Sequence, residues 1–198
     1  MLFRKKSDPA NRIVVVSGLP RSGTSLMMMM LDAAGIHPMQ DHIRTADDDN
    51  PKGYYEYERV KKMSDGDTAW LKDARGKSVK IITALLKHLP KKFHYDVVIM
   101  RREISEILAS QKKMLERRGE DPNKVSDQEM ADLFAKHFKQ VMDWIRQQKN
   151  FRYVEISYND LLTIPEDEIE KVNQFLGGEL ATEAMLAKID PGLYRQRK

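Results

Sequence analysis

Val14–Met28 reads VVVSGLPRSGTSLMM: a β-branched run, a Gly/Pro/Ser loop and an apolar helix start in immediate succession. The run from Arg12 to Ser17, RIVVVS, is apolar without alternation, as expected of a strand covered on both faces in a parallel sheet. Gly18 and Pro20 end it, and Ser25–Ala34 reads as a helix stopped by Gly35. A helix start has backbone N–H groups without partners and a partial positive charge from the aligned peptide dipoles. A loop of this make-up is therefore suited to an anion, a phosphate or sulfate, held over Pro20–Ser25. Gly18 and Gly23 allow a tight turn, while Ser22, Thr24 and Ser25 bring hydroxyls. Arg21 brings a permanent charge on a two-pronged fork. The spacing of Gly18 and Gly23 is that of a P-loop, whose next residue is Lys. Thr24 stands there instead, so the fixed charge has moved upstream to Arg21.

Further strands are expected at Ser78–Ile82 (SVKII), Asp96–Met100 (DVVIM) and Tyr153–Ile156. Helices are expected at Ile104–Arg118, Asp127–Gln148, Glu166–Leu176 and Ala181–Lys188, with a short one at Tyr54–Met63. The Asp127–Gln148 pattern is the most regular, with Met130, Leu133, Phe134, Phe138, Val141, Met142 and Ile145 at a 3.6-residue period. Ser126 and Glu129 form its S-x-x-E capping signature. Strands alternating with helices imply an α/β fold: a three-layer αβα domain with a mainly parallel central sheet, P-loop NTPase-like. The expected organisation is a basic flank at 1–11, one domain over 12–190 and a basic tail at 191–198. Pro38–Gly53, with Asp47, Asp48, Asp49 and Asn50, reads as a long polar loop of the kind that is usually functional.

Composition narrows the function classes. With 198 residues, 41% hydrophobic and 32% charged, the chain suits one soluble domain. A net charge of +4 fits an anionic ligand but is too mild to argue for nucleic acid. There is no cysteine, and the five histidines form no HExxH pair, so no metal site is expected. No apolar run approaches the roughly 20 residues that cross a bilayer, and Met1–Arg12 lacks a signal-peptide core. A cytoplasmic protein without a membrane partner is the expectation. Most of the twelve methionines, Met27–Met30 included, read as core filling.

The stretch GLPRSGTSLMMMML, Gly18–Leu31, resembles the phosphosulfate-binding loop of the sulfotransferase superfamily, whose donor is 3′-phosphoadenylyl sulfate (PAPS). Arg21 in a PRSGT setting is more similar to the protein-tyrosine and carbohydrate members, since cytosolic members usually carry Lys there. The resemblance implies that this loop holds the 5′-phosphosulfate end of the donor. A second match is VVIMRREISEILAS, Val97–Ser110, where Arg102 and Ser110 have the spacing of the family's pair for the nucleotide 3′-phosphate. A third, YVEISYNDLLTIPEDEIEKVNQFLG over Tyr153–Gly177, resembles the family's C-terminal strand, Y-x-D-L turn and helix, and supports fold only. The resemblance thus implies PAPS as co-substrate, adenosine 3′,5′-bisphosphate as product and no metal.

Sulfuryl transfer is governed by positioning and charge stabilisation, and Arg21 is the residue expected to neutralise the leaving phosphate. The acceptor, a small molecule or a peptide, must also lose a proton. Cytosolic members use a His two residues after a strand Lys. VKIITALLKHLP, Val79–Pro90, matches that Lys with Lys80 but places Ile82 at the His position, and His88 is out of register. Carbohydrate and tyrosine members use a Glu after the first helix, which points to Glu56 as base, with His42 as the runner-up. Arg195 in the tail is a candidate to fold back on the 3′-phosphate. Two other readings stay open from the residues: a P-loop-like nucleotide kinase or phosphotransferase, and a non-catalytic nucleotide-binding module. The oligomeric state and the acceptor are not legible.

Overall fold

A computed structural model describes residues 11–41, 43 and 53–190. Four parallel strands form one sheet in the order β2-β1-β3-β4: β1 Arg12–Gly18, β2 Ser78–Lys80, β3 His94–Arg101 and β4 Phe151–Ser157. The helices are α1 Thr24–Ala33, α2 Ile104–Arg117, α3 Asp127–Gln147, α4 Tyr158–Thr163, α5 Pro165–Leu176 and α6 Thr182–Leu186. Three 3-10 helices, Glu58–Asp65, Ala69–Lys72 and Thr83–His88, fill the stretch around β2.

The strands' alternation sorts side chains into two cores. Ile13, Val15, Val97 and Ile99 face one side, with Trp70, Leu86, Ile107, Phe138, Met142 and Ile145. Val14, Val16, Val98 and Met100 face the other, with Met27, Met28, Met30, Ile169, Val172 and Met185. The sheet is thus covered by α1, α5 and α6 on one face and by α2, α3 and the 3-10 helices on the other. This is the α/β layering and parallel sheet expected from the sequence. Every residue of β1 is buried, which accounts for its unbroken apolar run. Arg12 is tolerated there because Asp96 on β3 accepts from its Nε at 2.6 Å and Arg152 on β4 binds the same carboxylate at 2.7 Å.

Several elements differ from the sequence expectation. The first helix starts one residue early, at Thr24. Tyr54–Met63 is no α-helix: the chain is irregular up to Tyr57 and then forms the 3-10 helix. Tyr55 has φ 52° and Gly53 φ 88°, both left-handed, and such backbone breaks a helical path. β2 stops at Lys80 instead of Ile82, since beyond it Thr83 opens a 3-10 helix. α4 was hidden in the Y-x-D-L turn; Ser157 caps it by accepting from the Asp160 amide at 3.2 Å. On α3, Phe138, Met142 and Ile145 are buried but Leu133 is 57% exposed, so the buried stripe is narrower than the periodicity.

In this strand order, the chain leaves β1 for β2 on one side and β3 for β4 on the other. The carboxyl ends of β1 and β3 therefore flank the point where the winding reverses, which is where open α/β sheets form their ligand crevice.

Candidate active site

The loop after β1 lies at that reversal. Gly18 pairs with Met100 across the sheet, and a Cβ on Gly18 would meet the Met100 carbonyl at 2.9 Å. Ser22 is buried, and its hydroxyl and amide both donate to the Leu19 carbonyl, at 2.7 and 3.2 Å. Its hydroxyl thus braces the loop from inside. Arg21 and Gly23 both have positive φ, 69° and 94°. For a non-glycine residue such backbone costs on the order of 1–3 kcal/mol and persists only where the surroundings hold it.

Gly23 is the N-cap of α1, with no side-chain cap and no acidic residue in the first turn. α3, by contrast, opens with a complete Ser126–Glu129 capping box and two first-turn acids. The start of α1 thus carries the partial positive charge of a helix N-terminus with no capping side chain of its own and no first-turn acid, a donor set that fits a phosphate or sulfate group.

Arg21, Arg102 and Ser110 are brought together. Arg21 Nε donates to Ser110 Oγ at 2.9 Å, and Arg102 Nη1 donates to the Arg21 carbonyl at 3.0 Å. Arg102 also stacks over the Tyr158 ring at 4.6 Å from its centroid and donates through Nε to Glu106 Oε2 at 2.9 Å. Tyr158 in turn closes on Gly23, where a Cβ would run into its ring. β1, β3, α2 and α4 thus converge on one turn.

Lys80, at the carboxyl end of β2, reaches the first turn of α1. Its Nζ donates to the Tyr54 carbonyl, lies 3.4 Å from Ser25 Oγ and 3.6 Å from Glu56 Oε1. Ser25 Oγ itself lies 3.4 Å from the Tyr54 carbonyl. Lys61 sits 3.9 Å from the other oxygen of Glu56. The structure therefore assembles Glu56, Lys80 and Ser25 at the same helix start as Arg21 and Thr24, with Lys80 and Ser25 alone 55 residues apart in sequence. Tyr54 is buried, and Tyr57 packs edge-on against Trp70, so both are structural supports. The Tyr55 phenol is held above its ordinary range by burial, with the Asp32 charge adding to the shift. Ile82, two residues on from Lys80, is 43% exposed. His42 and Arg195 lie outside the described residues. A cleft of about 320 Å³ opens on the α2–α3 side, lined by Leu19, Ser22, Arg101, Arg102, Ile107 and Phe138 among others.

Glu106, Asn159 and Tyr158, which contact Arg102 directly or through Glu106, are not singled out by the sequence. Tyr158 was visible only as a packing residue. Glu106 stands four residues after Arg102, the ion-pair spacing of a helix, and that was the available signal. Among the described residues no group of three His, Asp or Glu is arranged to hold a metal, and no helix is long and apolar enough to cross a membrane.

A family model described as "Sulfotransferase domain" matches residues 11–191. The chain belongs to the sulfotransferase domain family. Among solved structures it is similar to the sulfotransferase domain of the Synechococcus PCC 7002 olefin synthase, with TM-score 0.59 and 15% identity, over 100% of this chain and 87% of that one. The sulfotransferase domain of the curacin biosynthetic pathway aligns with TM-score 0.56 and 16% identity, over 90% and 78% of the two chains. Sulfotransferase STF1 of Mycobacterium tuberculosis H37Rv aligns with TM-score 0.58 and 14% identity, over 90% and 70%. At these identities the structural likeness speaks for the fold, and the family assignment rests on the domain match. No curated protein sequence matches the chain. The Pro20–Ser25 loop and the Arg102/Ser110 segment, the two stretches that resemble the sulfotransferase superfamily, both lie within the matched range.

Proposed function

We propose that this sulfotransferase-family chain transfers a sulfuryl group from PAPS to a hydroxyl or amine of a small-molecule or peptide acceptor, releasing adenosine 3′,5′-bisphosphate. The observation that carries this reading is the convergence of Arg21, Arg102 and Ser110 at an uncapped helix start on the switch point of the sheet. The P-loop-like use of the fold, with a backbone cradle for the phosphate end of a nucleotide, is part of the same proposal.

In this mechanism PAPS supplies an activated sulfuryl group on a phosphate leaving group. Arg21 and the amides at the start of α1 stabilise the negative charge that builds on the leaving phosphate as its bond to sulfur breaks. Thr24 and Ser25 add hydroxyl donors, while Arg102 and Ser110 hold the nucleotide's 3′-phosphate. Glu56 takes the acceptor's proton as the new bond to sulfur forms, and Lys80 orients Glu56 and faces the transferring group. The cations Arg21 and Lys80 supply the positive field, so the reaction needs no metal.

A kinase reading is disfavoured by Thr24, which stands where a P-loop carries the Lys that holds the transferred phosphate. The test is turnover of PAPS, followed as released adenosine 3′,5′-bisphosphate, against a panel of hydroxyl and amine acceptors. Arg21→Ala is expected to lower the rate by about 10²–10³-fold. An unchanged rate in that variant would remove Arg21 from the mechanism.

A further inference from the structure

Glu106 is a carboxylate 5% exposed on the first turn of α2, and the reaction just described has no use for it. Its two oxygens are fully directed. Oε2 accepts from Arg102 Nε at 2.9 Å, and Oε1 accepts from the Asn159 side-chain amide at 3.0 Å. Asn159 belongs to α4, and its own carbonyl oxygen lies 3.4 Å from the Glu103 amide. Arg102, so gripped at Nε, presents Nη1 to the Arg21 carbonyl at 3.0 Å. That carbonyl belongs to the residue whose backbone sits at φ 69° and whose side chain carries the cradle's fixed charge. Strained backbone at a site persists only where neighbours over-determine it. Here the neighbours form a chain: Asn159, Glu106, Arg102, Arg21.

We propose that Glu106 is a positioning residue: through Arg102 it holds the Arg21 turn in its left-handed form, so that the Arg21 guanidinium and the α1 amides meet the same anion. The inference rests on the sulfotransferase reading for the identity of that anion. It differs from a role confined to the 3′-phosphate, because Arg102 touches the backbone of the loop for the 5′ end. Disturbing Glu106 therefore loosens the grip on any nucleotide carrying a 5′-phosphate, with or without a 3′-phosphate.

The experiment measures affinities of the full chain for adenosine 3′,5′-bisphosphate and for adenosine 5′-phosphate by calorimetry, with the unliganded melting temperature alongside. Glu106→Gln keeps the shape but turns an amide donor toward Arg102. It is expected to weaken both ligands, adenosine 5′-phosphate by about tenfold and the bisphosphate by at least as much. Asn159→Ala, which removes one support of Glu106 at a half-buried position, is expected to act in the same direction with a smaller loss and serves if Glu106→Gln does not fold. Glu168→Gln is the control. That carboxylate is also buried, but it binds the Ser157 amide at 2.8 Å and Lys171. It is expected to lower the melting temperature and leave both affinities alone. Loss confined to the bisphosphate, or no loss in either variant, overturns the proposal. If the wild-type chain fails to bind the bisphosphate at all, the sulfotransferase reading fails first, and the variants need not be compared to see it.

Discussion

Gly23 meets two demands that no other residue satisfies. Its φ of 94° is left-handed, and the Tyr158 ring stands where a side chain would begin. Gly23→Ala is expected to lower the melting temperature markedly and to abolish nucleotide stabilisation, because Tyr158 must retreat and take Arg102 with it. A thermal melt with and without adenosine 3′,5′-bisphosphate checks this. The base is assigned at the same scale. If Glu56 takes the acceptor's proton, Glu56→Gln should lose the acidic limb of the pH–rate profile and most of its turnover, while His42→Ala keeps both. A profile that moves with His42 instead would transfer the role. Residue types at the cradle were readable because glycine, arginine and hydroxyl chemistry is local. The Lys80–Glu56 pairing was not, since the two are 24 positions apart and Glu56 sits in a stretch that reads as helix but is broken by the left-handed Tyr55.

Among the elements, α1 and α3 differ in how their first turns are satisfied. α3 satisfies its own amides with the Ser126–Glu129 box, Glu129 Oε2 accepting from the Ser126 amide at 3.2 Å. Hydrogen bonds from Ser126 hold the Glu129 carboxyl below its ordinary range. Ser126→Ala should cost about 1 kcal/mol in urea unfolding and leave nucleotide affinity unchanged, since this helix start serves only folding. An affinity change would mean that α3 is coupled to the cradle. Helices with a clear period and caps were legible at their boundaries, as α3 and α5 were within one residue. The short elements were not. α4 and the 3-10 helices at Ala69–Lys72 and Thr83–His88 have too few residues for a period, and tertiary contacts fix them.

In the whole molecule, the parallel sheet does two jobs: it buries an apolar layer on each face and brings the ends of β1 and β3 side by side. Its central strands hold Tyr95 fully buried, with the hydroxyl donating to the Pro90 carbonyl at 3.0 Å. Burial pushes this phenol well above its ordinary value of 10.0. The folded state therefore keeps the proton that the unfolded chain gives up. Below pH 10 the two states are equally protonated and nothing is lost; above it, the unfolded chain gains by ionising and stability falls as pH rises. Tyr95→Phe should be about 1 kcal/mol less stable near neutrality, for loss of the Pro90 bond, yet lose less stability between pH 10 and 11. Equal alkaline slopes in the two proteins would show that Tyr95 ionises in the fold. The parallel order was legible because each strand is followed by a helical or turn segment long enough to cross over. Which strand ends lie side by side was not legible, because packing between distant segments sets the strand order. The most direct measurement is a calorimetric comparison of adenosine 3′,5′-bisphosphate, adenosine 5′-phosphate and ATP binding to the wild-type chain. The bisphosphate should bind most tightly, by at least about tenfold, with the advantage lost in Arg102→Ala; ATP binding as tightly as the bisphosphate would contradict a cradle built for a sulfuryl donor.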